Sequence, residues 1–587
     1  MLLLGRDIIR VHKVRKQVNG PHNLPYAQKL DLGWIIVGNV CLGRVHKPST
    51  VNAFYTNTTE RGRPTLFDPC PNMFRVKEKY SDTQATNHLQ THPEEISNCD
   101  VDSLGHNIFK QTKDDNNMAP SIQDISFMKI MKEGLTKDAN NSWVAPLPFK
   151  CSRQRLPNNR PQALNRLKSL RRNFERKPEM RDHFLSFMDK MFKNGHAKLA
   201  PPPSEDEEQW YLPIFGVYHP RKPKQIRVVF DSSAQYNGVS LNDVLLTGPD
   251  LNNTLLGVLM RFRKEAIAFT TDIEQMFYCF SVREDDRNFL RFLWFQDNDP
   301  SKDIVEYRMT VHVFGNSPSP AVAIHGLHQS VQVSELRIDP DVQSFVMRDF
   351  YVDDGLKSLP TVEAAVNLLK KTQDVLSKSN LRLHKIAANN KEVMEAFPAE
   401  DRAKDLKDLD LSADTLPMQR SLGINWDLQT DCFHFSVSDE IKSYTRRGVL
   451  STINSLYDPL GFVAPVTIQG KAILRELTTE KGDWDSPLPQ EMEDAWTSWR
   501  ASLKELSQLS IPRAYTTTSP PAAVRRELCV FSDASTKAIA AVAYLKVTDS
   551  AGNNHVGFVM GKAKLTPPVL NKQFRDWNFA QQCLEWS

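Results

Sequence analysis

The chain has 587 residues, 40% hydrophobic and 25% charged, with a formal net charge of +4. That length is too great for one compact core and suggests about three or four units, while the composition excludes a largely disordered chain. So small a charge excludes any whole-chain electrostatic argument for a nucleic-acid partner, which must be argued from local patches. Eight cysteines stand at 41, 70, 99, 151, 279, 432, 529 and 583, none at the spacing of a zinc ribbon or redox pair, so reduced thiols are expected. The opening Met1-Leu2-Leu3-Leu4 stops at Gly5-Arg6-Asp7, too short for a signal-peptide core. No run approaches the roughly 18 apolar residues of a membrane span, so a soluble protein without a membrane partner is expected.

Residues 1–47 are apolar and glycine-punctuated, with a strand pattern at Gly33-Trp34-Ile35-Ile36-Val37-Gly38. Residues 48–125 are rich in Asn, Thr, Ser and Asp with little periodicity, which predicts a flexible linker. A helical pair follows: Leu164, Leu167, Leu170 and Phe174 mark one apolar face, and Phe184, Phe187, Met188 and Met191 another, with Pro178 between. The first of these helices is basic, a pattern open to a solvated face or to phosphate contact. Pro201 to Glu208 form a boundary, after which strands and helices alternate from Trp210 to about Leu383, as in α+β or α/β domains. Beyond 440 the pattern is mainly helical, and a β-like segment begins near Cys529.

Two segments share one design. Ala266-Ile267-Ala268-Phe269-Thr270-Thr271 is an apolar strand candidate ending in Asp272, and Phe345-Val346-Met347 leads through Arg348-Asp349 and Phe350-Tyr351-Val352 to Asp353-Asp354-Gly355. Side by side, such strands place carboxylates at one sheet edge, where hard divalent cations find oxygen ligands. The plainer alternatives are a hairpin turn at the Asp-Gly pair and a helix N-cap at Asp272. Neither explains an aromatic Tyr351 before two crowded acids, which repel unless a cation neutralises them.

Phe350-Tyr351-Val352-Asp353-Asp354 resembles the signature of reverse transcriptases, with Asp272 at the place of that family's first catalytic aspartate. The resemblance implies a right-hand polymerase with Asp272, Asp353 and Asp354 on the palm as catalytic metal ligands for two Mg²⁺ or Mn²⁺ ions. It also implies an RNA or DNA template with primer, and deoxynucleoside triphosphates as substrate. His219-Pro220-Arg221-Lys222-Pro223-Lys224-Gln225-Ile226-Arg227 resembles the family's fingers, with Arg227 four residues before Asp231 and over the incoming nucleotide; a planar guanidinium suits that double task. Arg221, Lys222 and Lys224 compete as its partner, and a plain surface hairpin is the alternative. Phe277, five residues after Asp272, falls where a bulky ring excludes a ribose 2′ hydroxyl; a core phenylalanine on a helix is the alternative. Phe314-Gly315-Asn316-Ser317-Pro318-Ser319-Pro320 resembles the template and nucleotide loop, with Phe314, Gly315, Ser319, Pro320 and also Tyr351 as substrate-binding candidates. Lys385 falls where a lysine acts as general acid toward pyrophosphate, or is an exposed helix lysine. Leu422-Gly423 before Trp426 resembles the primer grip.

Other stretches narrow the resemblance to the Pao/BEL class of long-terminal-repeat retrotransposon polyproteins: Tyr211-Leu212-Pro213, Val229-Phe230-Asp231-Ser232-Ser233-Ala234, Ser240-Leu241-Asn242, Gly248-Pro249-Asp250-Leu251, Arg291-Phe292-Leu293-Trp294 and Leu456-Tyr457-Asp458-Pro459-Leu460-Gly461. The implied fold is α+β and multidomain: a palm, fingers and thumb core, a helical connection, and a truncated ribonuclease H-like α/β segment. The implied division is an aspartic-protease remnant over 1–47, the linker 48–125, and a helical N-terminal extension over 126–208. Fingers and palm then occupy 209–390, the primer-grip region 391–436, and the thumb and connection 437–524. A ribonuclease H-like start over 525–565 and a divergent tail over 566–587 complete it. The protease's Asp-Thr/Ser-Gly turn is absent from the sequence, so no peptidase activity is expected. Phe531-Ser532-Asp533-Ala534-Ser535 resembles the first ribonuclease H strand, with too few carboxylates after it for activity. Life in a cytoplasmic retroelement particle, with particle proteins as further candidate partners, follows from the resemblance; nuclear entry stays open. The rival readings are a decayed or repurposed element product that binds without catalysis, and an RNA-copying RNA polymerase, which Phe277 disfavours.

Overall fold

The computed structural model describes residues 14–19, 26–30, 33–37, 50–55 and 68–75, and then 121–566 apart from 203–206, 220–221, 333–337, 408–415, 438–441, 479–482, 517–522 and 536. The chain divides into two compact units, Met1–Met118 and Ala119–Ser587.

In the first unit Lys16–Val18, Tyr26–Leu30 and Gly33–Val37 form an antiparallel sheet, so the strand expected at Gly33–Gly38 is present. The motifs Leu4–Asp7 and Cys41–Gly43 lie outside the described residues. The stretch read as a linker holds two paired strands, Thr50–Tyr55 and Asp68–Arg75, so low periodicity misjudged those residues. Backbone pairing needs no alternation of side chains.

The second unit opens with a capping box, Ser121 and Asp124 closing the first turn of the Ile122–Gly134 helix. The helical pair follows as expected, at Arg160–Arg176 and Pro178–Lys193. Pro178 ends the first helix and occupies the opening turn of the second, where its missing N–H costs nothing. Their apolar faces bury Leu167, Phe174, Phe184 and Met188 against Trp210, Phe230 and Trp294. Phe230 comes from a hairpin of Ile214–His219 with Lys222–Phe230, and Trp294 from the Arg291–Phe295 strand.

The centre of the unit is a four-stranded sheet. In chain order come β1 (Ile267–Ile273), α1 (Ser319–Ser330), α2 (Pro340–Arg348), β2 (Phe350–Tyr351), β3 (Asp354–Leu359), α3 (Val362–Ser377) and β4 (Leu383–Ala388). The spatial order is β2-β3-β1-β4, every pair antiparallel. This is the split β-α-β-β-α-β arrangement of ferredoxin-like folds. Thr361 caps α3 and Asp339 caps α2 ahead of Pro340. Phe269, Ile273, Phe345, Phe350, Leu356, Leu369 and Ile386 pack into one core between sheet and helices. Phe345-Val346-Met347, read as a strand, is the last turn of α2; a short apolar run has no period that separates helix from strand.

Beyond the sheet, Met418–Ser421, Ile424–Asp427, Cys432–His434 and Ser510–Pro512 make a second four-stranded sheet. The helices Arg446–Ser455, Ala464–Leu477 and Glu493–Ser502 fill the region expected to be helical. Three 12-residue strands, Ala523–Ala534, Ala538–Asp549 and Asn554–Leu565, follow as an antiparallel meander. Among the described residues, no helix is long and apolar enough to cross a membrane, and Cys151, Cys279, Cys432 and Cys529 are free thiols.

Candidate active site

The sheet brings the three sequence-predicted aspartates to one edge. Asp272, near the end of β1, stands opposite Asp354 on β3 and opposite His384 on β4. The Ile273 N–H donates to the Asp353 carbonyl at 3.0 Å, tying the β2–β3 turn to β1. The turn itself is Tyr351-Val352-Asp353-Asp354, with Tyr351 paired to Asp354 and Val352 at φ +58°. A β-branched residue there is strained, on the order of 1–3 kcal/mol, and packing of Val352 on the core holds it in place.

On the other side a β-bulge shapes the site. Between Thr270 and Asp272 the pairing slips by one residue on β4, and Lys385 takes φ +52°. An extra residue in a strand re-aims its neighbours. Both His384 and Lys385 therefore reach one carboxylate: His384 Nε2 lies 2.9 Å from Asp272 Oδ1, and Lys385 Nζ donates to Asp272 Oδ2 at 2.9 Å. Lys385 lies on a strand, not the helix that was its alternative reading. Sequence reasoning gave His384 no role; its place beside Lys385 was the available signal.

Among the described residues, no cationic side chain is hydrogen-bonded to Asp353 or Asp354. Burial pushes the Asp354 carboxyl up to about 7, helped by the charges of Asp353 and then Asp272. Burial and then Asp272 raise Asp353. Lys385 opposes both shifts. Among the described residues no three His, Cys, Asp or Glu side chains are already gathered as a metal-binding group. The donor chemistry nevertheless fits a hard cation: crowded carboxylates raised by burial and by one another are lowered by a divalent ion.

The candidates for substrate contact form a second cluster. Phe277, in the turn Met276–Cys279 just beyond β1, meets Phe314 edge to face with centroids 4.5 Å apart. The Arg227 guanidinium lies 5.5 Å from the Phe314 ring centre, and Phe314 is 44% exposed. Gly315 has φ +110°, and a Cβ there would fall 2.5 Å from the Phe230 carbonyl oxygen, so only glycine fits. Asn242 Nδ2 donates to the Gly315 carbonyl at 2.9 Å and its Oδ1 accepts from the Ser317 N–H at 2.9 Å. Asn242 was quoted only inside a motif, and its role as the loop's brace had no local signal. Ser319 is buried, donating to the Val313 carbonyl at 2.9 Å, so it shapes the loop; Pro320 is exposed at the start of α1. The side chains of Arg221, Lys222 and Lys224 lie outside the described residues.

Tyr351 is half-buried and close enough to Tyr457 to help burial raise the Tyr457 hydroxyl. The Leu422-Gly423 turn places both residues at positive φ, as a two-residue hairpin of Ser421 and Ile424 demands, with Gly423 against the Tyr457 ring. Asp533 lies exposed near the end of the first meander strand.

Residues 445–573 match the model of the Pao retrotransposon-like RNaseH-like domain family. That span takes in the three helices after 445 together with the meander, and so crosses the boundary expected at 525. No curated protein matches. Two similar solved structures are a foamy viral protease-reverse transcriptase dRH in complex with double-stranded DNA and a foamy viral protease-reverse transcriptase in complex with an RNA/DNA hybrid. The first is 13% identical with TM-score 0.43, covering 88% of this chain and 77% of that one. The second is 14% identical with TM-score 0.40, covering 85% of this chain and 54% of that one, so this chain spans about half its length. Over residues 445–573 the chain is thus similar to the Pao retrotransposon-like RNaseH-like domain family, in keeping with the Pao/BEL resemblance of its sequence.

Proposed function

We propose that the chain is the reverse transcriptase of a long-terminal-repeat retroelement, an RNA- and DNA-directed DNA polymerase. The observation that carries this reading is the pairing of Asp272 with Asp354 across β1 and β3, with Asp353 in the adjoining turn. In this reading the central sheet is the palm, the Arg227 hairpin belongs to the fingers, and the helices after 445 serve as thumb and connection. Asp272, Asp353 and Asp354 would hold two Mg²⁺ or Mn²⁺ ions, which when bound supply a more acidic primer 3′ hydroxyl and a neutralised triphosphate. The protein's own groups do the rest. Arg227, held by Phe314, lies over the incoming nucleotide and touches its phosphates. Phe277 fills the space a ribose 2′ hydroxyl would need. Lys385 leaves Asp272 to give its proton to the departing pyrophosphate. In this reading the meander that carries Asp533 is ribonuclease H-like.

A second reading, binding without catalysis, draws on Lys385 and His384, which already satisfy Asp272 without a metal. One substitution separates the two. Asp353→Asn eliminates primer extension by at least a hundredfold while duplex binding persists, because positioned charge at the reacting centre commonly contributes that much. Extension at the wild-type rate by the variant defeats the polymerase reading, and absence of extension by the wild-type protein with every nucleotide type favours the second.

A further inference from the structure

The basic Arg160–Arg176 helix has a one-sided surface that no step above uses. At about 100° per residue, Ala163, Leu167, Leu170 and Phe174 point inward. Arg160 and Arg171 flank that face and are occupied, Arg160 by Glu306 and Arg171 over the Phe295 ring. On the opposite arc Lys168, Arg172 and Arg176 recur every fourth residue, about 6 Å apart along the axis, and all three are exposed. Among the described residues none of the three has a carboxylate within ion-pair distance. Asn165, Ser169 and Asn173 interleave with them and are exposed as well. Within the helix Glu175 alone brings negative charge, and it sits at the edge of the arc. Arginine and lysine alternating with short amide and hydroxyl side chains is the composition that contacts phosphate and sugar oxygens.

The place of the stripe argues for its ligand. Arg166, at the other edge of the arc, donates to Asp231 at 3.3 Å. Asp231 directly follows the strand that carries Arg227, and the preceding carbonyl, that of Phe230, is the one against which Gly315 is pressed. Gln162, one turn before Arg166, donates to the Gln235 carbonyl in the same connection. The basic arc therefore begins beside the Gly315 loop and runs away from it along the helix.

We infer that this arc is a binding track for the unpaired segment of the template strand as it approaches the Gly315 loop. The inference rests on the polymerase reading for the word template, but the track itself requires only a single strand of nucleic acid. A single strand suits it, because one row of cations about 6 Å apart, interleaved with short amide and hydroxyl side chains, can follow one phosphate backbone.

The test is equilibrium binding by fluorescence anisotropy, with no catalysis needed. The full chain and the triple variant Lys168→Gln, Arg172→Gln, Arg176→Gln are titrated against a blunt primer–template duplex and the same duplex with a 20-nucleotide 5′ template overhang. Circular dichroism verifies that the helix survives. The wild type should bind the overhang substrate about tenfold more tightly than the blunt one, and the variant should lose that excess while keeping blunt-duplex affinity. The slope of log affinity against log salt on the overhang substrate should fall by about 2, since each single-strand phosphate contact contributes about 0.7. Equal affinity of wild type and variant for the overhang substrate overturns the inference, as does equal weakening on both substrates, the mark of a diffuse charge effect. A wild type that extends primers while its variant keeps overhang binding removes the track and leaves the polymerase. A wild type that extends nothing, but whose overhang binding depends on the three residues, removes the polymerase and leaves the track.

Discussion

At the scale of residues, Asp354 is the most informative group. Its folded carboxyl is raised to about 7 by burial and by Asp353 and Asp272, while an unfolded chain returns it to about 4. The folded state then binds the extra proton, so stability falls as pH climbs from about 4 to about 7. Below that window both states are protonated and the penalty vanishes. Asp354→Asn mimics the protonated side chain, so without metal the variant should melt a few degrees above the wild type at pH 8 and level with it at pH 4. Thermal melts across pH check this, and a stability difference that does not grow with pH contradicts the assignment.

Among the elements, the bulge in β4 and the turn between β2 and β3 do more than the strands they interrupt. A regular β4 would present alternate residues to opposite faces, leaving only one of His384 and Lys385 near Asp272; the extra residue lets both reach it. The platform of Phe277, Phe314 and Arg227 likewise comes from three separate pieces of chain, a short turn, a loop and a hairpin strand. Phe314 is braced by the Phe277 ring, so truncation of Phe277 both opens space and loosens Phe314. Phe277→Ala should admit ribonucleotides, raising their incorporation relative to deoxynucleotides by about tenfold or more. Single-nucleotide extension with each sugar measures it, and an unchanged preference removes the selective role of Phe277.

Over the whole second unit, the central sheet and the family-matched region are stapled by buried arginines. Arg263, 1% exposed, caps the Leu255–Phe262 helix and donates to the Arg513 carbonyl at 2.8 Å and the Val559 carbonyl at 3.0 Å. It lies between the Tyr515 and Phe462 rings, 4.4 and 5.0 Å from their centres, and burial pulls it down to about 10. Arg513, fully buried, pairs with Asp431 and donates to the Glu265 and Ala266 carbonyls. Gly461 lies so near Gly561 that a side chain there would strike its carbonyl. The meander is thus fastened to the central sheet by hydrogen bonds that an apolar substitute leaves unpaired. Arg263→Met should cost about 2–4 kcal/mol. Hydrogen exchange should then quicken over residues 523–565 before the central strands respond; unchanged protection there would show that the staple is dispensable.

Sequence by itself determined the identities on which the proposed chemistry rests: the three aspartates, the aromatic before their pair, the arginine four places before Asp231, and the glycine that Phe314 precedes. It also marked the helical pair, because apolar spacing and Pro178 act locally. The two strands at Thr50–Tyr55 and Asp68–Arg75 escaped it because their mixed polar stretches show no alternation, and the helix ending at Arg348 escaped it because its short apolar run has no decisive period. Only the tertiary structure decided that Asp272 faces Asp354 across one register, that a bulge turns His384 and Lys385 onto the same carboxylate, and that Asn242 braces a loop 73 positions away. Such partnerships are set by pairing register and by packing between distant segments, and neither leaves a trace in the neighbouring residues.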